Sequence, residues 1–149
     1  MIAGVGDTTG QEAAVEAAHR AFYAAWERGD AAAALGFWID ADDISCTFPG
    51  VPGVMGRDEV RTQLSEGIEL TSGIQFLFED LNVAVRGSVA WLACVENVIL
   101  PGVLTLEDVV DLPGSQLAVT SVYHRIGADW LLWCHQAGPV LTNLDLEDE

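Results

Sequence analysis

An α+β fold with its helices first is what the chain order predicts. Three helix-period patterns occupy the sequence up to about Leu70, and from Ile74 onward the apolar residues switch to the short alternation of extended strands. The last of those strands, within Leu117 to Pro139 (LAVTSVYHRIGADWLLWCHQAGP), reads as an aromatic β-hairpin turning at Gly127-Ala128.

The first helix is predicted from Thr9-Gly10-Gln11-Glu12, a T-x-x-E capping box in which hydroxyl and carboxylate satisfy free N–H groups at a helix start. It should run to about Arg28, burying Val15, Ala18, Phe22, Ala25 and Trp26, with Gly29 as its stop. Asp30 caps a second helix from Ala31 to about Trp38, whose alanine run has high intrinsic propensity. Ile44 to Phe48 is a short strand, and the Pro and Gly residues from Pro49 to Gly56 make a loop. Val60, Leu64 and Ile68, four apart, predict a third helix over Arg57 to about Leu70.

Ile74–Phe78, Leu81–Arg86 and Val89–Leu100 then read as strands, with a bulge at Glu79-Asp80 and a tight turn at Arg86-Gly87-Ser88. The acidic, apolar segment 101–116 fits a lid, an edge strand or a short helix equally well. The chain is read as one domain over 1–149, with its core at about 9–139 and an acidic tail at 141–149.

Composition excludes several functions. The chain has 149 residues, half of them hydrophobic, and 6 Lys plus Arg against 23 Asp plus Glu, a formal charge of −17. Nucleic acid and anionic membrane surfaces need clustered cations, so neither is an expected partner. The N-terminus lacks the basic start and apolar run of a signal peptide, and a cytoplasmic location is expected. Cys46, Cys94 and Cys134 are widely spaced strand residues without metal-ligand or redox spacing, so they are expected to be buried thiols. No metal or cofactor is expected.

The order of short motifs is more specific. WERGD closing a helix, ALGFWIDADDISCTFPG, GRDEVR, RGSVAWLACVENV and TSVYHRIGADWLLWCHQAGP resemble the SnoaL-like branch of the nuclear transport factor 2-like superfamily over roughly Glu12 to Pro139. That resemblance implies a strongly curved antiparallel sheet wrapped around three N-terminal helices as a cone. It also implies an apolar pocket and a homodimer through the sheet's outer face. Fold membership leaves the reaction open, because sites are grafted onto folds.

In the ketosteroid isomerases of that superfamily, a carboxylate base and a tyrosine act on the substrate. The corresponding positions here are Phe48 and Phe22, which neither transfer protons nor donate hydrogen bonds. The hairpin also resembles the association domain of calcium/calmodulin-dependent kinase II, whose two pocket arginines would fall at Ser121 and Gln136. The resemblance therefore implies a pocket without a matched catalytic set.

If Ile126 faces Asp129 across the turn, a strict period of two puts Ser121, Tyr123, Cys134 and Gln136 on the pocket face. His124 and His135 then fall on the opposite, packing side. Phe22, Trp26, Trp38 and Phe48 are the other pocket-lining candidates. Glu96 and Asp42 are the weak candidates for an acid or base, though the bland reading turns Glu96 toward solvent or a subunit interface. Arg57, Arg61 and the acidic turn Asp40 to Asp43 are expected to form exposed ion pairs of little energetic weight. His19, beside the apolar stripe, is given a structural role.

The expected function is binding of a small apolar or aromatic molecule in the cone. The alternatives are a cyclase- or isomerase-type enzyme with a rearranged acid/base, and a non-catalytic association module.

Overall fold

The computed structural model describes residues 8–99 and 116–140. Their elements are α1 (Thr8–Glu27), α2 (Ala31–Leu35), β1 (Ser45–Thr47), β2 (Val54–Met55), α3 (Arg57–Leu70), β3 (Gln75–Arg86), β4 (Val89–Ile99), β5 (Gln116–Ile126) and β6 (Asp129–Pro139). The strands form one sheet in the order β2-β1-β6-β5-β4-β3. Every pairing is antiparallel except that of β1 with β6. The predicted α+β plan, helices first and a mostly antiparallel sheet after, is the observed one.

Local chemistry sets the element ends. Helix α1 is already under way at Thr8, so Thr9 lies within its first turn and is not its cap. Asp30 does cap α2, its Oδ1 accepting from the Ala33 N–H at 3.0 Å. Helix α2 is shorter than its alanine run predicts. At Gly36 the backbone tightens into turn bonds, and Trp38 leaves the helix to bridge Leu132 of β6. Tertiary pairing here outweighs propensity. Both tight hairpins place a glycine first in the turn, Gly87 (φ 60°) and Gly127 (φ 65°), where a side chain would be strained. The predicted irregularity in β3 is a register shift between Glu79 and Asn82, with Asp80 at φ 54°.

Arg57 makes its expected ion pair, Nε lying 3.8 Å from Oδ1 of the exposed Asp40, and also has a structural role. Nη1 donates to the Trp38 and Ile39 carbonyls at 2.8 and 3.1 Å, so the half-buried guanidinium pins the exit of α2 onto the start of α3. Arg61 pairs with Asp58 at 2.8 Å on the exposed face of α3.

The decisive irregularity is in the last hairpin. Ile126 faces Asp129 and Tyr123 faces Leu132 as the alternation requires, but Val122 then pairs with Cys134, leaving Trp133 as an extra residue. A bulge of one residue exchanges the faces of everything beyond it. His135 and Ala137 therefore turn inward with Trp130 and Leu132, while Gln136 turns outward. Cys134 sits half-buried on the outer side, accepting a hydrogen bond from Ser45 Oγ at 3.2 Å. The pocket assignment of Cys134 and Gln136, and the outward assignment of His135, are thus corrected. The expectations for 101–115 and for the 141–149 tail lie outside the described residues.

The core lies between the concave sheet face and the helices. Phe22 is fully buried and meets Tyr23, Trp26, Trp38 and His135 edge-on, with ring centroids 5.1–6.4 Å apart. Such edge-to-face contacts add to the area these rings bury.

Candidate functional site

The helices and sheet enclose a cavity of about 360 Å³, opening between the C-terminal half of α3 and the loop after β1. Trp26, Phe48 and Phe76 wall it, and Val51 and Leu70, 44% and 85% exposed, stand at its mouth. Gly67 makes room for the wall. A Cβ there would lie 2.9 Å from Trp26 Cη2, so only glycine lets the indole lie against α3. Trp26 Nε1 then donates to Thr71 Oγ1 at 2.9 Å, and its ring meets Phe48 at 5.1 Å.

The floor is different in kind. Glu96 lines the cavity yet is 1% exposed, on the inward face of β4 beside Cys94. The bland reading of Glu96 is overturned, because residues of even number on β4 point inward. Asn97 turns the other way, donating to Glu79 Oε1 at 2.9 Å and accepting from Gln116 Nε2 at 3.0 Å. Facing Glu96 is His19 of α1, fully buried, with Nε2 3.9 Å from Glu96 Oε2 and Nδ1 hydrogen-bonded to the Tyr123 hydroxyl at 2.9 Å. Neither His19 Nε2 nor Glu96 Oε2 has a hydrogen-bond partner among the described residues.

A second chain of bonds runs beside the first. The Tyr23 hydroxyl, on the cavity wall, lies 3.2 Å from His135 Nε2, and His135 Nδ1 lies 2.7 Å from Ser121 Oγ. A neutral imidazole donates at one nitrogen and accepts at the other. Protons along Tyr23, His135 and Ser121 therefore point all one way or all the other, which is the wiring of a relay.

Burial fixes the protonation of these groups. It lifts the Glu96 carboxyl to about 8, with the Tyr23 hydroxyl beside it moderating the rise. Burial, reinforced by His135 and Arg20, lowers His19 to about 3, and burial alone lowers His135 to about 4. The phenols of Tyr23 and Tyr123 are pushed up by burial and by Glu96 and other neighbours. At neutral pH the floor thus holds a protonated carboxyl and two neutral imidazoles. A carboxyl poised near neutrality at the end of an apolar cavity is suited to act as a general acid, or as a base once it has lost its proton.

Of the other predicted site residues, Trp26 and Phe48 line the cavity. Phe22 and Trp38 lie behind it in the core, and Ser121 and Tyr123 also lie behind its lining, bonded to His135 and His19, which back the lining residues Tyr23 and Glu96. Asp42 is exposed outside the cavity and has no part in the site. Tyr23 was missed, although His19, Tyr23 and Trp26 follow the i, i+4, i+7 spacing that carries them along one face of α1. Nothing in the sequence marks the bulge that brings in His135.

A family model described as the SnoaL-like domain matches residues 15–142. The chain belongs to the SnoaL-like family. Comparison with curated proteins gives no match.

Among solved structures, this SnoaL-like chain is similar to a Streptomyces avermitilis protein of the nuclear transport factor 2-like family, provisionally described as a dehydratase. Identity is 33%, coverage 90% of this chain and 99% of that one, and the TM-score 0.78. It shares its fold with a Thiobacillus denitrificans protein provisionally described as a calcium/calmodulin-dependent kinase II association domain, at 22% identity, coverage of 85% and 94%, and TM-score 0.73. A Pseudomonas putida protein of unknown function gives 16% identity, coverage of 91% and 92%, and TM-score 0.72.

Proposed function

We propose that this SnoaL-like protein binds a small apolar or aromatic molecule in its cone and exchanges a proton with it through Glu96. The observation that carries this reading is a buried, cavity-lining carboxyl with an unpartnered oxygen, set among largely apolar walls. Keeping an ionisable group in such a place costs stability, and functional sites are where such costs are retained. The reaction class is proton transfer at carbon: isomerisation, cyclisation or loss of water. The last fits the description given to the Streptomyces relative. In each, Glu96 moves the proton and the Tyr23 hydroxyl, held by His135, steadies an oxygen of the substrate.

The test uses 2-tetralone, an apolar aromatic ketone with exchangeable protons beside its carbonyl, and chelator-treated protein. Binding is read by fluorescence quenching of the tryptophans, and deuterium uptake by NMR. Saturable binding with exchange that Glu96→Gln abolishes supports the reading. Exchange unchanged by Glu96→Gln, or no binding, overturns it.

A homodimer through the outer sheet face is a second reading, supported by the surface itself. Leu77, Val89, Trp91 and Trp133, large apolar side chains of β3, β4 and β6, are all at least 36% exposed, the kind of surface an interface would cover. Sedimentation at micromolar concentration tests it: a dimer that Trp91→Arg converts to monomer supports it, and a wild-type monomer overturns it. Among the described residues no helix is long and apolar enough to cross a membrane.

A further inference from the structure

We propose that the floor of the cone is also a mononuclear site for a borderline divalent cation of the Zn²⁺ class, bound by His19 Nε2, Cys94 Sγ and Glu96 Oε2. The fourth coordination position would open into the cavity. This goes beyond the proton-transfer reading and depends on it only for the cavity that Glu96 shares.

Three observations converge. One ligand atom from each of three buried residues lies within 4.8 Å of the other two, Cys94 and Glu96 two apart on one face of β4 and His19 opposite on α1. Ligand atoms around a tetrahedral Zn²⁺ with ordinary bond lengths stand about 3.3 to 3.7 Å apart, so small rotations of Glu96 and Cys94 complete the site.

Next, His19 Nε2 and Glu96 Oε2 face each other at 3.9 Å, too far to hydrogen-bond, and each lacks any other partner among the described residues. A cation between them satisfies both at once. Finally, Tyr123 holds the far side of the ring, its hydroxyl 2.9 Å from Nδ1. In the tautomer that a cation would select, Nδ1–H donates to the Tyr123 oxygen and the Nε2 lone pair points at the site. That is the outer-shell arrangement that orients a ligating imidazole.

Charge fits as well. A neutral imidazole, one thiolate and one carboxylate balance a divalent ion, so the assembled site carries no net charge into its apolar surroundings. A histidine, a thiolate and a carboxylate together suit Zn²⁺ or Co²⁺ rather than Mg²⁺ or Ca²⁺, which take oxygen ligands. Three protein ligands with one open position is the pattern of a catalytic rather than a structural ion. Burial pushes the Cys94 thiol up to about 12, with Glu96 adding to the rise, so the ion must displace a proton from each of Cys94 and Glu96 into solvent as it binds.

The test titrates chelator-stripped full-length protein with Co²⁺ and Zn²⁺ in excess Mg²⁺, which occupies the acidic surface. Cys46→Ser/Cys134→Ser serves as background, leaving Cys94 as the one thiol. One equivalent of Co²⁺ with a thiolate-to-metal charge-transfer band, and proton release on uptake, is expected. Cys94→Ser should lose the band and weaken binding by more than the ~10–100-fold typical of an outer-shell change, and Tyr123→Phe should weaken it on the order of tenfold with the band intact.

No stoichiometric uptake under Mg²⁺, or a band unaltered by Cys94→Ser in the wild-type background, overturns the site. Because 2-tetralone exchange is measured without metal, its failure and the failure of the metal site are separate results.

Discussion

The mouth and the floor of the cavity are built on opposite principles. At the mouth, Trp26, Phe48, Phe76 and Leu70 bury or present apolar surface, and each contact there also stabilises the fold. At the floor, His19, Glu96, His135, Ser121 and two tyrosines are buried polar groups whose hydrogen bonds do little better than offset their desolvation. The mouth would survive in any well-packed protein. The floor is retained against stability, and this contrast is what points to chemistry there.

The comparison breaks first at the mouth. Trp26→Ala should destabilise by about 3–5 kcal/mol, the usual result of emptying an aromatic site, and enlarge the cavity toward Phe48 and Phe76. Urea unfolding measures it, and a loss under ~1 kcal/mol would mean that the indole belongs to a ligand site rather than to the core.

The floor should respond with the opposite sign. Because Glu96 is raised from 4.5 to about 8, the folded chain holds a proton that the unfolded chain releases between those values, so stability falls as pH rises through that window. His19 and His135, lowered from 6.5 to about 3 and about 4, stay neutral in the folded chain while the unfolded chain protonates below 6.5. Their contribution therefore falls as pH drops. For these three groups together, metal-free protein should be most stable near pH 6.5. Glu96→Gln should gain about 1–3 kcal/mol at pH 8 and remove the alkaline decline. Equal unfolding midpoints at pH 6.5 and 8 in the wild type would show that the carboxyl is not buried neutral.

Ser121→Ala tests the relay. It leaves His135 Nδ1 unpaired and should cost about 1–2 kcal/mol in urea unfolding. It should also slow 2-tetralone exchange without changing tetralone affinity, since Ser121 does not line the cavity. The smallest effect is expected at the rim. Leu70→Ser, at a position 85% exposed, should change stability by less than ~0.5 kcal/mol and weaken tetralone binding only a few-fold by fluorescence titration.

Much of this was legible in the chain. The spacing of Val60, Leu64 and Ile68 gives α3, the Gly87 and Gly127 turns give both hairpins, and the change of period at Ile74 gives the helix-then-sheet order. Trp26 and Phe48 were candidates for the cavity only through the cone resemblance, which named Phe22 and Trp38 on the same ground, and packing alone separated the two pairs.

What pattern could not supply is which side of a strand a residue takes once the alternation slips. Local propensity and period are properties of neighbours in sequence, and they determined the elements, the α+β class and the family. The extra residue at Trp133 depends on how β6 fits between β1 and β5, and it alone moved His135 to the floor and Gln136 away. The meeting of His19, Cys94 and Glu96 likewise depends on α1 packing across β4. No spacing within the chain encodes it, because the contact exists only where helix and sheet close on each other.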